Sequence, residues 1–316
     1  MNGKSKDRKQ VVLAGFGVVG QGVYARIAHS PDFEIVGVVR RNIACPSNAE
    51  LPADLVTDRF EALPDFDILV EVIGGIWPAE EFVLSALRRG ADVVSANKTL
   101  IARRFDLLHR EAALTGARLL FSAAVGGGVP MLEAVEAAAA KGAIARIDAV
   151  LNGTTNFVLD RIGAGLDLEE ALTLAREAGF AEADPSADIN GEDAADKIAL
   201  LVRRGFGEAV NPESLAKDPL TSISPADIAA AAEAGTPYKQ VASAWRTETG
   251  VAAEVRLKRV RAGEPLAEPQ LEENCLVITP ARGAPVVLHG RGAGREPTTD
   301  SVMSDLAALL ACEPSS

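Results

Sequence analysis

The sequence predicts an α/β protein in which a doubly wound parallel sheet is joined to an α+β part with a mixed sheet. Three observations lead to this prediction. A glycine-rich turn at residues 15–20 separates a short apolar strand from a helix. Apolar strands and helices then alternate as far as residue 130, which is typical of βαβ units. Residues 238–261 and 274–289 alternate apolar and polar side chains with no helix between them, which indicates a second sheet.

The composition limits the classes of function. A chain of 316 residues can form two domains, and a formal net charge of −12 argues against the basic surface that nucleic-acid binders need. No apolar run approaches the roughly 18 residues that span a bilayer, and the polar N-terminus lacks the apolar core of a signal peptide. Because Cys45, Cys275 and Cys312 are far apart and the histidines are scattered, we expect no metal site. We therefore expect a cytoplasmic protein that binds a small molecule, and neither nucleic acid nor a membrane.

The strand Val11–Ala14 runs into the turn Gly15-Phe16-Gly17-Val18-Val19-Gly20, and a helical stretch follows. In this context GxGxxG is the fingerprint of dinucleotide binding in a Rossmann-type domain. The first glycine makes the tight turn, the second lets a pyrophosphate approach the backbone, and the third lets helix and strand pack closely. Glycine turns before helices also occur for packing alone, but the strand and the helix on either side favour a cofactor site.

The second strand, Phe33–Val39, is followed by Arg40 and Arg41. An NAD enzyme usually carries an acidic residue here, which binds the ribose 2′-hydroxyl. Two guanidinium groups could instead pair with a 2′-phosphate, which favours NADP(H) over NAD(H) as the cofactor. The alternative is that both arginines simply face solvent.

Two further strands of the first half end in residues suited to a ligand. One ends in Gly74-Gly75, and Asp92–Ser95 delivers Asn97 and Lys98 at its carboxyl end, where ligands bind in open parallel sheets. Lys98 could reach a nicotinamide or a substrate oxygen. It could equally be a solvated lysine at the start of a helix.

The second half contains an acidic stretch, residues 180–197, with the sequence FAEADPSADINGEDAADK. Asp193 and Lys197 lie four residues apart, so they share a face if this segment is helical. Glu182 and Asp188 fall in a proline-interrupted loop just before it. A pocket here would offer acceptors for an ammonium group and one amine for proton transfer. The alternative is an acidic surface loop with one ion pair.

Two more segments of the second half resemble ligand loops. A strand at about residues 145–151 leads into Asn152-Gly153-Thr154-Thr155-Asn156-Phe157, which we place at the start of a helix. Near the end, the cluster Gly290-Arg291-Gly292-Ala293-Gly294 precedes the last helix. A second glycine cluster at a helix start suggests that the chain returns to the nucleotide site.

Taken together, these segments resemble the homoserine dehydrogenases over nearly the whole chain, from Val11 to about Leu309. The likeness is carried, in order, by GFGVVG, SANK, VGGGVP, NGTTNF, GFAEADPSADINGEDAADK and a late GAG followed by PTTDSV. Several long motifs in the right order are far more specific than the glycine fingerprint alone. The resemblance implies an NAD(P)-dependent oxidoreductase of amino-acid biosynthesis that interconverts aspartate 4-semialdehyde and homoserine.

The resemblance also implies roles for individual residues. Lys197 corresponds to the catalytic lysine, and Lys98 to a lysine between cofactor and substrate. The expected substrate-binding residues are Glu182, Asp193, Asp188, Gly153, Thr154 and Phe180. The expected cofactor-binding residues, from the motifs and the resemblance together, are Gly15, Phe16, Gly17, Val18, Val19, Gly20, Arg40, Arg41, Gly74, Gly75, Asn97, Lys98 and Gly294.

The resemblance further implies a division of the chain into domains. Residues 1–130 and 291–316 would form the dinucleotide-binding domain. Residues 131–290 would form the substrate-binding and dimerisation domain, through whose sheet two chains make a homodimer. The chain ends at Ser316, so the likeness is to short members without an ACT regulatory domain.

Three positions depart from the family pattern. Ser122 stands where the family usually has a glutamate that helps to hold a monovalent cation, which argues against a bound sodium ion. Phe180 replaces the usual tyrosine beside Glu182. Trp77 is bulkier than the side chain expected near the nicotinamide.

These departures keep two alternatives open at the level of sequence. The first is the same fold and chemistry acting on a different small amino-acid aldehyde or alcohol, which Phe180, Ser122 and Trp77 motivate. The second is a non-catalytic NAD(P)-binding protein, against which Lys98 and Lys197 argue.

Overall fold

The computed structural model of the chain describes residues 8–40, 51–292 and 294–311, which form two compact units. The first unit contains the described residues of Met1–Ala124 and Gly294–Ser316, and the second those of Val125–Ala293. The strands are β1 Lys9–Ala14, β2 Phe33–Val39, β3 Val56–Thr57, β4 Ile68–Glu71, β5 Asp92–Ser95, β6 Leu119–Leu120, β7 Ile144–Val150, β8 Ala216–Lys217, β9 Tyr238–Thr247, β10 Gly250–Arg259, β11 Glu273–Pro280 and β12 Val286–Arg291. The α-helices are α1 Val18–Ile27, α2 Ala79–Arg88, α3 Lys98–Thr115, α4 Met131–Lys141, α5 Gly153–Gly163, α6 Leu168–Glu177, α7 Ser186–Ile189, α8 Glu192–Phe206, α9 Pro225–Glu233 and α10 Arg295–Ala311.

The first unit is built on a sheet of strand order β3-β2-β1-β4-β5-β6, whose described pairs are parallel. Val11, Val12 and Leu13 of β1 are fully buried, because a strand in the middle of such a sheet is covered on both faces. The strand order reverses at β1 and β4, so the ligand crevice lies at the carboxyl ends of these two strands. The prediction of a Rossmann-type doubly wound sheet is confirmed.

The last helix, α10, belongs to the core of this first unit. Val302 and Leu306 lie in the same apolar cluster as Val11 and Leu13. Helix α10 also packs closely on α1, where a Cβ atom at Gly22 would come within 2.3 Å of the Oγ1 atom of Thr299. The chain therefore returns to the first unit after it has built the second.

The second unit contains a sheet of order β12-β11-β7-β9-β10-β8. Its described pairs are antiparallel, except that β8 runs parallel to β10. Helices α5 and α8 pack against it. The mixed sheet predicted for the second half is thus confirmed.

No helix in the described part of the chain combines the length and the apolar character that a membrane crossing requires.

Local signals in the sequence explain where several helices begin. The spacing of Asp167 and Glu170, three residues apart, predicts a capping box at the start of α6. In the structure each side chain accepts a hydrogen bond from the other residue's backbone N–H, which forms that box. The Asn152 side chain caps α5 through the N–H of Thr155 at 2.7 Å. Both caps satisfy backbone donors that have no partner within the helix.

Other boundaries differ from those that the sequence predicts. Helix α3 begins at Lys98, whereas the sequence predicts it from about residue 103, because the Asn97 side chain caps it through the N–H of Leu100. Asp188 lies on the short helix α7 and not in a loop. The sequence predicts a strand over Arg118–Ala123, but β6 covers only Leu119–Leu120. A 3-10 turn begins at Ser122, whose N–H donates to Asp305 Oδ2 at 2.9 Å.

Helix α9 is missing from the sequence prediction, although its signals are present. Ser224 caps it through the N–H of Asp227, and Pro225 occupies its first position. Its short Ala-rich pattern, with Ile228 and Ala231 buried, is too weak in periodicity to stand out among neighbouring strands.

Candidate active site

The glycine turn in the first unit has the geometry that a dinucleotide needs. Gly15 has a φ of +103°, and a Cβ atom there would lie 2.8 Å from the carbonyl carbon of Val72. A Cβ atom at Gly20 would lie 2.3 Å from the carbonyl oxygen of Gly15, so this glycine is required for packing of the helix on the turn. A Cβ atom at Gly17 would meet nothing within 4 Å, so this glycine leaves open space beside the backbone at the start of α1. The turn therefore fits a bound pyrophosphate.

A crevice opens next to this turn at the carboxyl ends of the strands. It is lined by Gly15, Phe16, Gly17, Val39, Arg40, Asp58, Val72, Ile73, Pro78 and Phe82. Four of the predicted cofactor residues, Gly15, Phe16, Gly17 and Arg40, thus line one crevice. Val18, Val19 and Gly20 form the first turn of α1 beside it. Arg41 lies outside the described residues.

A buried carboxylate, Glu71, lies at the end of β4, next to this turn. Its Oε2 atom accepts a hydrogen bond from the hydroxyl of Ser95 at 2.6 Å. Its Oε1 atom accepts hydrogen bonds from the N–H of Ile73 at 2.8 Å, the N–H of Gly74 at 3.4 Å and the Asn97 amide at 3.3 Å. Burial raises the pKa of Glu71, and these hydrogen bonds act in the opposite direction. Glu71 was not among the residues predicted from the sequence.

Asn97 connects this carboxylate to the start of α3. Its amide also donates to the carbonyl of Gly75 at 2.6 Å, while its side-chain oxygen caps α3. Gly74 and Gly75 both have left-handed φ values, 83° and 71°. Lys98 is the half-buried first residue of α3, so the structure places it, Asn97 and the two glycines at one end of the sheet.

In the second unit, the ammonium group of Lys197 is held by two oxygens. Its Nζ atom lies 2.7 Å from the carbonyl oxygen of Leu151 and 2.7 Å from Oδ2 of Asp193. Both charged side chains are buried, so each depends on the other for compensation. The spacing of four residues on α8 produces this pair, as the sequence predicts.

Asn152 joins this ion pair to the neighbouring helices. Its amide donates to Oδ1 of Asp188 at 2.6 Å and to Oδ2 of Asp193 at 2.9 Å, while its side-chain oxygen caps α5. The hydroxyl of Thr155 donates to the carbonyl of Asp188 at 2.9 Å, which holds α7 in place. The structure therefore brings together Asp188, Asp193 and Lys197, which the sequence assigns to one pocket. Asn152 links them, although the sequence marks it only as part of the motif NGTTNF.

The remaining predicted substrate residues lie close to the start of α5. The hydroxyl of Thr154 donates to the carbonyl of Phe180 at 2.5 Å, and the Phe180 ring packs on Phe157 with 5.1 Å between ring centroids. A Cβ atom at Gly153 would lie 2.8 Å from the carbonyl oxygen of Glu272. Phe180 thus packs at the edge of an apolar core.

Glu182 is placed differently from the other acidic residues of this stretch. It is exposed, in the loop before α7, while the hydrogen bonds of the cluster join Asn152, Asp188, Asp193 and Lys197. The structure therefore separates a buried part of the acidic stretch from an exposed carboxylate near its start.

The late glycine cluster has packing roles in the second unit. A Cβ atom at Gly292 would lie 1.7 Å from the amide nitrogen of Asn274, and one at Gly290 would lie 2.7 Å from Val129 Cγ2. Asn274 is fully buried and its amide donates to the carbonyl of Leu151 at 3.3 Å, the same oxygen that accepts from Lys197. Gly294 is not among the crevice-lining residues, and its carbonyl accepts from the N–H of Thr298 at 3.2 Å.

Comparison with known proteins decides the family. The sequence profile described as "Homoserine dehydrogenase" matches residues 130–307, and the one described as "Homoserine dehydrogenase, NAD binding domain" matches residues 15–122. The homoserine dehydrogenase of Synechocystis sp. is 35% identical over 95% of this chain and 73% of its own length. The chain belongs to the homoserine dehydrogenase family. It is an NAD(P)-dependent oxidoreductase, so the alternative of a non-catalytic nucleotide-binding protein is set aside.

Other relatives agree with this assignment. The homoserine dehydrogenase of Bacillus subtilis is 33% identical over 95% of this chain and 72% of its own length. The crystal structure of a homoserine dehydrogenase from Thiobacillus denitrificans superposes with a TM-score of 0.86 at 29% identity, covering 95% of this chain and 72% of that one. A putative homoserine dehydrogenase from Archaeoglobus fulgidus superposes with a TM-score of 0.81 at 26% identity, covering 95% and 99% of the two chains.

The three glycines of the turn allow a test that separates folding from cofactor binding. We expect Gly17→Ala to keep the unfolding temperature of the native protein, because its Cβ atom meets nothing within 4 Å. We expect it to weaken NADPH binding at least about tenfold, because the methyl group occupies the space through which a pyrophosphate approaches the backbone.

Gly20→Ala is the matched comparison, since its Cβ atom would lie 2.3 Å from a carbonyl oxygen and should lower the unfolding temperature. Thermal unfolding and fluorescence titration with NADPH measure the two effects. Unchanged NADPH affinity in Gly17→Ala would show that this turn does not hold the cofactor.

Proposed function

We propose that the protein interconverts aspartate 4-semialdehyde and homoserine, with Lys197 as the acid and base. The observation that carries this proposal is the buried Lys197–Asp193 pair, at 2.7 Å, in a member of the homoserine dehydrogenase family. The nicotinamide cofactor, when bound, supplies the hydride that adds to the aldehyde carbon. The residues of this chain then have to orient the aldehyde and to protonate the developing alkoxide.

The geometry of Lys197 suits proton donation. An ammonium group has three N–H donors, and among the described residues two are directed at the Leu151 carbonyl and at Asp193. The third can point to the substrate oxygen, where a positive charge stabilises the alkoxide and can donate the proton. In the reverse direction the neutral amine accepts that proton. The short carboxylate contact fixes the orientation of the lysine in both directions.

The acidic residues around Lys197 suit a substrate that carries an ammonium group. We propose that Glu182, which is exposed at the loop before α7, and Asp193 bind this group, with Asp188 as part of the same pocket. Gly153 and Thr154 would contact the substrate from the start of α5. We also propose that Lys98 polarises the aldehyde.

We also propose that NADP(H) is preferred over NAD(H). Arg40 lines the crevice at the end of β2 and carries a positive charge suited to a 2′-phosphate. Asp58 lines the same crevice and would repel that phosphate, so the preference depends on the balance of two opposite charges. A hyperthermophilic archaeal homoserine dehydrogenase of the same fold, with a TM-score of 0.82, was solved in complex with NADPH.

We propose that the two units divide the work, with the first binding the cofactor and the second binding substrate and forming a homodimer. One row across the sheet of the second unit consists of Val287, Val277, Asp148, Ser243 and Glu254. At the edge of this row Val287 is 39% exposed and Val277 beside it is half-buried, and a second chain could cover these two apolar residues. We further propose that the enzyme works in the reducing cytoplasm, in keeping with the buried free thiol of Cys275.

The role of Lys197 is tested by two substitutions. We expect Lys197→Ala and Lys197→Arg to lower the rate of NADPH oxidation with aspartate 4-semialdehyde by about 10²–10⁴-fold, the usual contribution of acid–base catalysis. Arginine retains the positive charge beside Asp193 and therefore the fold, but it does not exchange its proton at neutral pH.

Lys141→Ala, at the exposed end of α4, is the control and should keep full activity. A folded Lys197→Arg enzyme with native activity would contradict the proposed role. A substrate panel in which homoserine is not the best alcohol would instead favour another small amino alcohol.

The cofactor preference is tested at the two charges of the crevice. We expect Arg40→Ala to weaken NADPH binding about tenfold more than NADH binding, because only NADPH carries the 2′-phosphate. We expect Asp58→Asn to strengthen NADPH binding. Arg59→Ala, an exposed neighbour outside the crevice lining, is the control, and titration calorimetry gives the affinities. Equal effects of Arg40→Ala on the two cofactors would exclude this arginine as the selector.

The homodimer is tested by molar mass. Light scattering should give twice the 33.0 kDa of the chain, and Val287→Asp should shift the mass toward the monomer, because it places a charge at the exposed apolar edge of this sheet. Leu114→Asp is the control, since Leu114 is 75% exposed on a helix of the first unit. A monomeric native protein would contradict the proposal.

A further inference from the structure

Glu71 is a buried titratable group of the first unit that the proposed chemistry does not use. Its side chain is 0% exposed, although a carboxylate is among the most costly groups to bury without a partner. It lies between Ala14 of β1 and Ser95 of β5 in the register of the sheet. Ala14 immediately precedes the glycine turn, so the carboxylate stands at the end of the sheet where the cofactor crevice opens.

The hydrogen bonds of Glu71 fix two segments that flank the crevice. Backbone donors of Ile73 and Gly74 bind its Oε1 atom, which holds the turn after β4. The Asn97 amide bridges that same oxygen and the carbonyl of Gly75, and Asn97 also caps α3 just before Lys98. The glycine turn 74–75 and the start of α3 are therefore tied to one carboxylate.

The described groups that contact this carboxylate are donors without charge. Ser95, Asn97 and two backbone N–H groups satisfy its oxygens, and these described contacts include no cation. Hydrogen bonds compensate the carboxylate but leave its electric field in place, and the field of a buried charge acts over several ångströms. A charged group of a ligand in the adjacent part of the crevice will therefore interact with the Glu71 carboxylate.

The strand order identifies that part of the crevice. A cofactor bound in the usual way would have its pyrophosphate at the turn after β1 and its adenosine ribose toward the end of β2, so its nicotinamide half would extend toward β4 and β5. A nicotinamide ring is positively charged when oxidised and neutral when reduced. A carboxylate near the ring therefore stabilises the oxidised form more than the reduced form.

We propose that Glu71 is a positioning residue that holds the 74–75 turn and the start of α3 at the nicotinamide end, and whose charge favours binding of the oxidised cofactor. The inference rests on the nicotinamide cofactor of the proposed function, but not on the identity of the substrate or on Lys197. The two can fail separately, because cofactor binding is measured without any substrate.

The experiment compares affinities for oxidised and reduced cofactor in the purified full-length protein. Glu71→Gln has the same shape, and its side-chain oxygen can accept from Ile73, Gly74 and Asn97 while its amide faces Ser95. We expect the affinity for NADP⁺ to fall about tenfold and the affinity for NADPH to change by less than about twofold, the pattern expected when a nearby charge is removed. Glu61→Gln, an exposed glutamate of the same unit, is the control for net charge and should change neither affinity.

Asn97→Ala tests the positioning part separately. It removes the bridge to Gly75 but leaves the carboxylate charged, so both affinities should fall by a similar factor and their ratio should stay native. Equal loss of both affinities in Glu71→Gln, or no loss, would overturn the role of the charge. Unchanged affinities in Asn97→Ala would overturn the positioning role, and this test stands even if Glu71→Gln does not fold.

Discussion

The ammonium group of Lys197 is buried, and the second unit satisfies it with a carbonyl and a carboxylate, each at 2.7 Å. A buried charge is tolerated only when it is paired and hydrogen-bonded, so this requirement constrains everything around it. Helix α8 has to present Asp193 one turn before Lys197. Leu151, the residue that follows strand β7, has to direct its carbonyl at the lysine. Asn152 then has to hold Asp193 and Asp188 while it begins α5.

The first unit solves the opposite problem for a buried negative charge. Glu71 is surrounded by hydroxyl, amide and backbone N–H donors, whereas Lys197 is paired with an ion of opposite sign. The pairing with Asp193 fixes the orientation of the Lys197 ammonium group. The arrangement at Glu71 satisfies the hydrogen bonds of the carboxylate and leaves its charge effective at longer range. Glu71 and Lys197 are therefore both buried next to a predicted binding region, and their charges are satisfied by different means.

The sequence predicts much of this because some signals are local. The glycine turn, the capping box of α6 and the Asp193–Lys197 pair each depend on residues within about one or two helical turns, and all three have the predicted geometry. The change from a parallel sheet in the first half to a mixed sheet in the second is also visible in the sequence, as a change in the periodicity of apolar residues. The fold class therefore follows from patterns that need no knowledge of distant contacts.

What the sequence does not show depends on residues far apart in the chain. Asn152 lies 36 residues before Asp188, and Asn274 lies 123 residues after the Leu151 carbonyl to which it donates. In the sequence, Glu71 is only the last residue of an apolar strand. Its contacts with Ser95 and Asn97, more than 20 residues later, are visible only in the fold. Glycines are ambiguous for the same reason: Gly17 leaves room for a ligand, whereas Gly292 leaves room for Asn274.

One anchor of Lys197 is a main-chain atom, and this has a consequence for how the enzyme can change over evolutionary time. Any residue at position 151 supplies the same carbonyl if the backbone path is unchanged. Substitution of the side chain there therefore preserves the hydrogen bond from Lys197. The Asp193 anchor has no such protection, because only a carboxylate provides both the charge and the acceptor. The two contacts of Lys197 therefore tolerate substitution differently, although both are 2.7 Å long. The contact with the Leu151 carbonyl would be weakened by a change of the backbone itself, such as replacement of the amide by an ester, whose carbonyl is a weaker acceptor.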